Sequence, residues 1–122
     1  MHKLLAALSL VALAAPAVAD DWTWTRGDTI REATYLTLQL VDWRQSCEIV
    51  KHPELYRETN TILGEHPSQS ELNRYHIAAA LLHVGIARAL PKPTRDFWQY
   101  VSLVIEVDAV AHNRSIGIRI PF

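Results

Sequence analysis

The side chains best suited to chemistry in this chain are histidines and carboxylates at helical spacing. His76 and His83 are seven residues apart, which places them two turns apart on one helix face. Asp108 and His112 are four apart and can pair on a helix in the same way. Neutral imidazoles and carboxylates are ordinary zinc ligands, so these four residues are the candidate metal site. No His-x-x-x-His or His-Glu-x-x-His motif accompanies them, and we expect no bound cofactor, with zinc as the alternative.

A second candidate is Glu106, which lies within the apolar segment Leu-Val-Ile-Glu-Val-Asp-Ala-Val. Gln99 and Asn113 are seven residues away on either side, so the three form one polar stripe on a helix. A carboxylate among such neighbours either reaches solvent or is buried with a partner. We expect a hydrogen-bonded network between helices here, with a catalytic acid as the alternative.

The composition argues against several classes of protein. There are 12 Lys and Arg residues against 13 Asp and Glu, and the positive residues are scattered, so we expect no nucleic-acid partner. No Gly-x-Ser-x-Gly elbow, phosphate-binding glycine loop or Cys-x-x-Cys motif is present, which leaves hydrolase and nucleotide-binding functions without support. Cys47 is the single cysteine, and its spacing predicts a buried thiol, with a reactive or intermolecular thiol as the alternative. An enzymatic role is therefore uncertain, and a non-enzymatic one is expected.

Two capping boxes and one proline link divide the chain into three helices. Thr29 and Glu32 predict a first helix from about Thr29 to about Val50, and Ser68 with Glu71 predicts a second over Gln69–Ala89. The first helix has an apolar stripe, expected to pack, that comprises Ala33, Leu36, Leu40, Trp43, Cys47 and Val50. Its polar stripe, expected to face water, comprises Glu32, Gln39, Asp42 and Ser46.

The third helix should follow Pro91 and Pro93, with Thr94 as N-cap and Arg95–Asn113 as its extent. Because the link is short, the second and third helices should form an antiparallel hairpin. The remaining tail alternates isoleucines with small or polar residues, which predicts an extended segment lying along a groove between helices. The expected fold is therefore an all-α three-helix bundle with an ordered inter-helix loop and a short extended C-terminal tail.

The first nineteen residues have the features of a secretory signal peptide. Lys3 precedes an apolar stretch that closes on Ala17-Val18-Ala19, a small-x-small site for signal peptidase. The interrupted stretch is shorter than the roughly twenty residues that a spanning helix needs. We expect cleavage after Ala19, a single helical domain over residues 20–122, and a periplasmic or secreted location, with membrane association as the alternative.

The helices themselves leave a membrane environment open. Polar residues inside each apolar segment favour a bundle in water, because a charge at the bilayer centre costs roughly 3 kcal/mol. Ala78–Leu82 and Val101–Ile105 are nevertheless nearly apolar all round. Membrane contact or burial in a homo-oligomer is therefore the alternative.

The most unusual segment is the loop from Glu58 to Ser68, which reads Glu-Thr-Asn-Thr-Ile-Leu-Gly-Glu-His-Pro-Ser. This loop, with Gly27-Asp28-Thr29, Val41-Asp-Trp-Arg-Gln45 and Asn113-Arg-Ser-Ile-Gly-Ile118, resembles a group of small uncharacterised exported or membrane-associated proteins of proteobacteria and their prophages. The resemblance implies export and a helical fold, and it supplies no catalytic residue. Within the loop, Asn60 and His66 join Glu58 as interaction candidates.

Three functions remain open at this stage. The first expectation is a non-enzymatic periplasmic domain that contacts an envelope or phage-encoded protein. The contact would use the loop and the aromatic arm, which is the segment before Gly27 that carries Trp22 and Trp24. The second is a small membrane-embedded helical protein with a polar interior formed by Asp42, Glu58, His83 and Glu106. The third is a metal-dependent enzyme built on the histidine and carboxylate residues named above.

Overall fold

The computed structural model describes residues 21–120, and these form an all-α bundle of three helices. They are α1 (Arg26–Lys51), α2 (Gln69–Ala89) and α3 (Lys92–Ser115). The fold class expected from the sequence is confirmed, and α2 has the predicted bounds. The proposed signal peptide with its cleavage site, and the C-terminal Phe122, lie outside the described residues.

The helix starts follow local capping chemistry, but α1 begins earlier than predicted. Thr25 is its N-cap and accepts from the backbone N–H of Asp28, whose side chain accepts from the Thr25 backbone in return. The predicted box at Thr29 and Glu32 is therefore wrong. Both pairs fit the same pattern, and the earlier pair forms because Asp28 also reaches basic residues of α3. The predicted box at Ser68 before α2 is confirmed.

The start of α3 also differs from the prediction. The helix begins at Lys92, Pro91 is the N-cap, and no side-chain hydrogen bond caps it. Thr94, the predicted cap, is buried inside the first turn. Proline at the first positions is compatible with a helix because its missing N–H would have had no intrahelical partner there. The helix therefore starts at Lys92, three residues before the predicted start at Arg95.

The three helices pack around a shared seam. Residues of α1 contact residues of α3 at similar sequence offsets along their length, 67 for Glu32–Gln99 and 68 for Gln45–Asn113, so these two helices run parallel. The second helix runs antiparallel to both, and the predicted hairpin of α2 and α3 is confirmed by the bond from Trp98 to the His83 carbonyl. Every helix thus contributes side chains to the seam.

The polarity of the bundle is the reverse of the expected one. Within residues 21–120, thirteen buried residues are polar or charged, whereas the buried hydrophobic residues, prolines aside, number six. In α1, Glu32, Gln39 and Ser46 are buried, while Leu36 and Leu40 are exposed. The prediction that the apolar stripe packs and the polar stripe faces water is therefore wrong for most of this helix. Its C-terminal end follows the prediction, because the Cys47 thiol is buried and free.

The exposed apolar side chains form a belt around the middle of the bundle. We call this set the apolar belt, and it comprises Ile30, Leu36 and Leu40 of α1, Ile77, Leu81 and Leu82 of α2, and Phe97, Tyr100, Val104, Ile105 and Val107 of α3. Within residues 21–120, none of the helices has both the length and the apolarity needed to cross a membrane.

The loop and the tail close one end of the bundle. The Glu58 N–H donates to the Glu65 carbonyl, and Gly64 has a positive φ of 80°, which a glycine adopts without strain. The loop is thus ordered, as predicted. In the tail, Ile118 is buried as expected, but Ile116 is exposed because it still belongs to the turn that ends α3.

Candidate functional site

The interior of the bundle is a line of hydrogen-bonded polar side chains, which we call the polar seam. It begins at the end of the bundle where α1 and α3 both start. There Asp28 is fully buried and accepts hydrogen bonds from Lys92 and Arg95, both at 3.0 Å. Burial alone would raise the pKa of Asp28, but hydrogen bonds from Thr25 and these two cations outweigh it and hold that pKa far below its usual value. Asp28 is therefore a permanently charged anchor.

The neighbouring Arg95 is buried and has all five of its N–H donors satisfied. Besides Asp28, the acceptors are the carbonyl oxygens of Trp22, Thr23, Ala87 and Leu90. This side chain joins the N-terminal arm, the end of α2 and the start of α1 to α3. Its role is structural, because no donor is left for a ligand.

The next layer holds a histidine–carboxylate pair. The Nδ1–H of His83 donates to Glu32 Oε1 at 2.6 Å, and Gln99 donates to the other Glu32 oxygen at 2.9 Å. Burial would raise the pKa of Glu32, yet these hydrogen bonds outweigh it and lower that pKa. The His83 ring is stacked on Tyr35 with 3.6 Å between the ring centroids, and its Nε2 is buried without a partner.

The middle layer is organised by Gln39. Its amide nitrogen donates to Glu106 Oε1 at 3.0 Å and to the Tyr35 hydroxyl at 2.9 Å, and its oxygen accepts from His76 Nδ1 at 2.7 Å. Burial lowers the pKa of His76 to about 4, so this imidazole is neutral at pH 7. Burial, together with the charge of Asp42, raises the pKa of Glu106 to about 8.

The far end of the seam collects a second acidic group and the loop. Asn113 donates to Asp42 at 2.9 Å, and Asp42 lies 4.0 Å from His76 Nε2. Burial, and then the charge of Glu58 from the loop, raise the pKa of Asp42 to about 7. Glu58 accepts from the backbone N–H of Asn60, and its Oε2 is buried without a partner. The structure therefore brings Asp42, Glu58 and Glu106 near one another, while His83 lies one layer away.

The predicted metal site is not formed. His76 and His83 contact different partners on α1, whereas Asp108 and His112 lie exposed on the outside of α3. Among residues 21–120, no group of three His, Cys, Asp or Glu side chains could hold a metal ion. The prediction fails because the two stripes lie on different faces: α3 turns Glu106 and Asn113 inward, which carries Asp108 and His112 outward.

The remaining sequence candidates have structural positions. Asn60 caps a turn by accepting from the Ile62 N–H, and His66 is exposed in the loop. The stripe of Gln99, Glu106 and Asn113 is buried and hydrogen-bonded to α1, so the predicted inter-helix network is confirmed.

Sequence reasoning missed Asp28 and Arg95, the most deeply buried charged pair. A usable signal existed, because Asp28 follows Thr25 by three residues and is the alternative capping box. For Arg95, the sequence contains no equivalent signal, since its five acceptors are mostly backbone carbonyls from distant segments.

The fold and the site together define the class: an all-α three-helix bundle with a hydrogen-bonded, ionisable interior. No protein-family model, curated protein or solved structure matches the chain.

Proposed function

We propose that this protein is a non-enzymatic helical bundle that places its apolar belt against lipid acyl chains and keeps the polar seam inside, although no single helix within residues 21–120 could cross a membrane alone. The observation that supports the proposal is the reversed polarity of the bundle: every helix has belt residues on its outward face, while Glu32, His83 and Glu106 point inward. A bundle in water normally buries its large apolar side chains. Ionisable residues within membrane segments normally face the bundle interior and pair with one another.

The charged residues at the edges of the belt suit a lipid environment. Arg31 and Arg44 on α1 are 13 residues apart, and Arg74 and Arg88 on α2 are 14 apart; every exposed position between the members of each pair is uncharged. At 1.5 Å per residue these stretches are about 20 Å long. Arginine side chains extend along apolar surface and keep their charge in the polar layer, which widens the stretch that lipid can cover.

Lipid explains the belt better than a single protein partner does. A partner that docks on the loop and the aromatic arm, as the periplasmic alternative requires, would cover one side of the bundle. The exposed apolar residues instead include Leu40 of α1, Leu81 of α2 and Val104 of α3, each at least 63% exposed. The apolar surface belongs to the bundle as a whole, because each helix turns its own polar residues inward.

The non-enzymatic part of the proposal is supported by the hydrogen bonding of three long polar side chains in the seam. Gln39 and Gln99 use both the oxygen and the nitrogen of their amide groups in hydrogen bonds to other side chains. Arg95 uses all of its N–H donors on other protein groups. A catalytic centre would need groups directed at a substrate in an open cleft.

Carbonate extraction of bacterial cells that express the tagged full-length chain tests the proposal. The unaltered chain should stay in the washed membrane pellet. Leu81→Lys should reduce the pellet fraction several-fold, because a charge inside a bilayer costs roughly 3 kcal/mol. Leu55→Lys is the matched control: Leu55 is 67% exposed, close to the 71% of Leu81, but lies in the loop outside the belt.

Release of the unaltered chain into the soluble fraction would contradict the proposal and support the periplasmic domain. Equal behaviour of the two lysine variants would also contradict it, because the belt would then have no special relation to lipid. Mass spectrometry of the N-terminus in the same fractions tests the predicted cleavage after Ala19.

A further inference from the structure

The end of the seam near the loop contains three carboxyl groups from three separate elements. Asp42 comes from α1, Glu58 from the loop and Glu106 from α3. Their charges repel, since Glu58 acts on Asp42 and Asp42 acts on Glu106. Among residues 21–120, no Lys or Arg side chain forms an ion pair with any of the three.

The hydrogen bonds within this group are too few to stabilise three negative charges. Glu106 is 8% exposed, one of its oxygens accepts from Gln39, and the other is buried with no partner. The Oε2 atom of Glu58 is likewise buried and has no hydrogen-bond partner. A buried carboxylate oxygen without a donor costs free energy that the neutral acid largely avoids. The site therefore needs a ligand that removes negative charge.

The histidine in the group is not that ligand. His76 donates through Nδ1 to the Gln39 oxygen, and its Nε2 is 4.0 Å from Asp42. The two tyrosines that face the group, Tyr35 of α1 and Tyr75 of α2, have pKa values raised by burial, so neither carries charge. No cation from α1, α2, α3 or the loop compensates the acids, and within the described residues no metal-binding cluster exists.

We propose that Asp42, Glu58 and Glu106 form an internal proton-binding site. Glu106 holds one proton at neutral pH, and Asp42 shares a second proton with the other acids of the site. The bound proton neutralises charge that no Lys or Arg within residues 21–120 neutralises here, and it allows Glu58 of the loop to lie close to the bundle. The observation that carries the inference is the unpartnered, nine-tenths-buried Glu106 oxygen beside two further acids. The inference stands apart from the membrane proposal, because it uses only contacts inside the bundle.

Infrared difference spectroscopy of the purified full-length chain tests this site. A protonated carboxyl group has a carbonyl band that the carboxylate lacks. We expect such a band at pH 7 and its loss as the pH rises past about 8, where burial places the pKa of Glu106. Glu106→Gln should remove most of the band, Asp42→Asn should remove the part that titrates near pH 7, and the exposed-site control Glu54→Gln should change nothing.

A second measurement keeps the inference testable if a variant fails to fold. In the unaltered chain, the free energy of unfolding should fall as the pH rises from about 6.5 to about 8, since the folded state binds a proton that the unfolded state has lost. Absence of a protonated-carboxyl band at pH 7, or a band that survives Glu106→Gln, would overturn the proposal. A free energy of unfolding that stays level or rises over that pH range would also overturn it.

Discussion

At the scale of single residues, the seam uses charge in two opposite ways. Asp28 is buried beside Arg95 and Lys92, so its charge is fully compensated. Glu106 is buried beside Gln39 and without a cation, so its neutral form is favoured. The same residue type thus acts as a fixed anchor or as a titratable group according to which donors surround it. The two ends of one seam therefore differ in their response to pH.

Arg95 offers the sharpest test of the fixed end. Arg95→Met should destabilise the fold by about 3–5 kcal/mol, because it removes one member of a buried pair and leaves four carbonyl oxygens without their donor. Chemical unfolding followed by circular dichroism measures the change. Arg88→Met is the control, since Arg88 is exposed and lies over the Trp24 ring, a contact worth about 1 kcal/mol. Similar losses in both variants would show that the five bonds of Arg95 do not stabilise the fold.

The same end should also respond to acid. Because the pKa of Asp28 is lower in the folded state, its contribution to stability is present above about pH 4, the ordinary value for an aspartate, and is lost as the pH falls. His76 acts in the same direction, since its folded pKa of about 4 lies below its ordinary value, so protonation opposes folding. Between about pH 4 and pH 6.5, the free energy of unfolding should therefore rise less, or fall more, with pH in His76→Gln than in the unaltered chain, while a slope unchanged by this substitution would show that His76 does not contribute.

At the scale of helices, the sequence predicts extents well and faces poorly. Ser68 and the Leu90–Pro91 step bound α2 correctly, because capping and proline chemistry are local. For α1, Thr25–Asp28 and Thr29–Glu32 fit the same capping pattern. The choice between them depends on Arg95, which lies 67 residues beyond Asp28 and is invisible to local reasoning.

The corrected cap of α1 can be tested with a matched pair of threonines. Thr25→Ala should cost about 1 kcal/mol, because the Thr25 hydroxyl accepts from the Asp28 N–H. Thr29→Ala should cost less than about 0.5 kcal/mol, because Thr29 is exposed and its hydroxyl accepts only a surface bond from Trp24. Urea unfolding of both variants decides the matter. The reverse order of losses would mean that the helix begins at Thr29.

At the scale of the whole molecule, the reversed polarity explains why the site was only partly predictable. The period of a helix reveals that Gln39 and Leu40 lie on different faces, but the same period fits either face inward. Which face is buried depends on the surroundings of the bundle, and the predicted packing assumed water. The stripe of Gln99, Glu106 and Asn113 was predictable because seven-residue spacing is independent of that assumption. The metal site was not, since it required Asp108 and His112 to face the histidines of α2, whereas both are exposed.

The apolar belt gives the whole molecule a testable property in the absence of membrane. Proteins that are monomeric in water rarely expose contiguous apolar patches larger than a few hundred Å², and here eleven large apolar or aromatic side chains surround the bundle. Without detergent, the purified chain should therefore associate, and in micelles of a mild non-ionic detergent it should be a monomer with a higher unfolding temperature. Sedimentation velocity and thermal unfolding in both conditions measure this. Leu81→Lys should weaken the association in water, whereas Leu55→Lys, outside the belt, should leave it unchanged. A stable monomer in plain buffer, with no gain from detergent, would mean that the belt needs no cover and that water is the natural surrounding of this bundle.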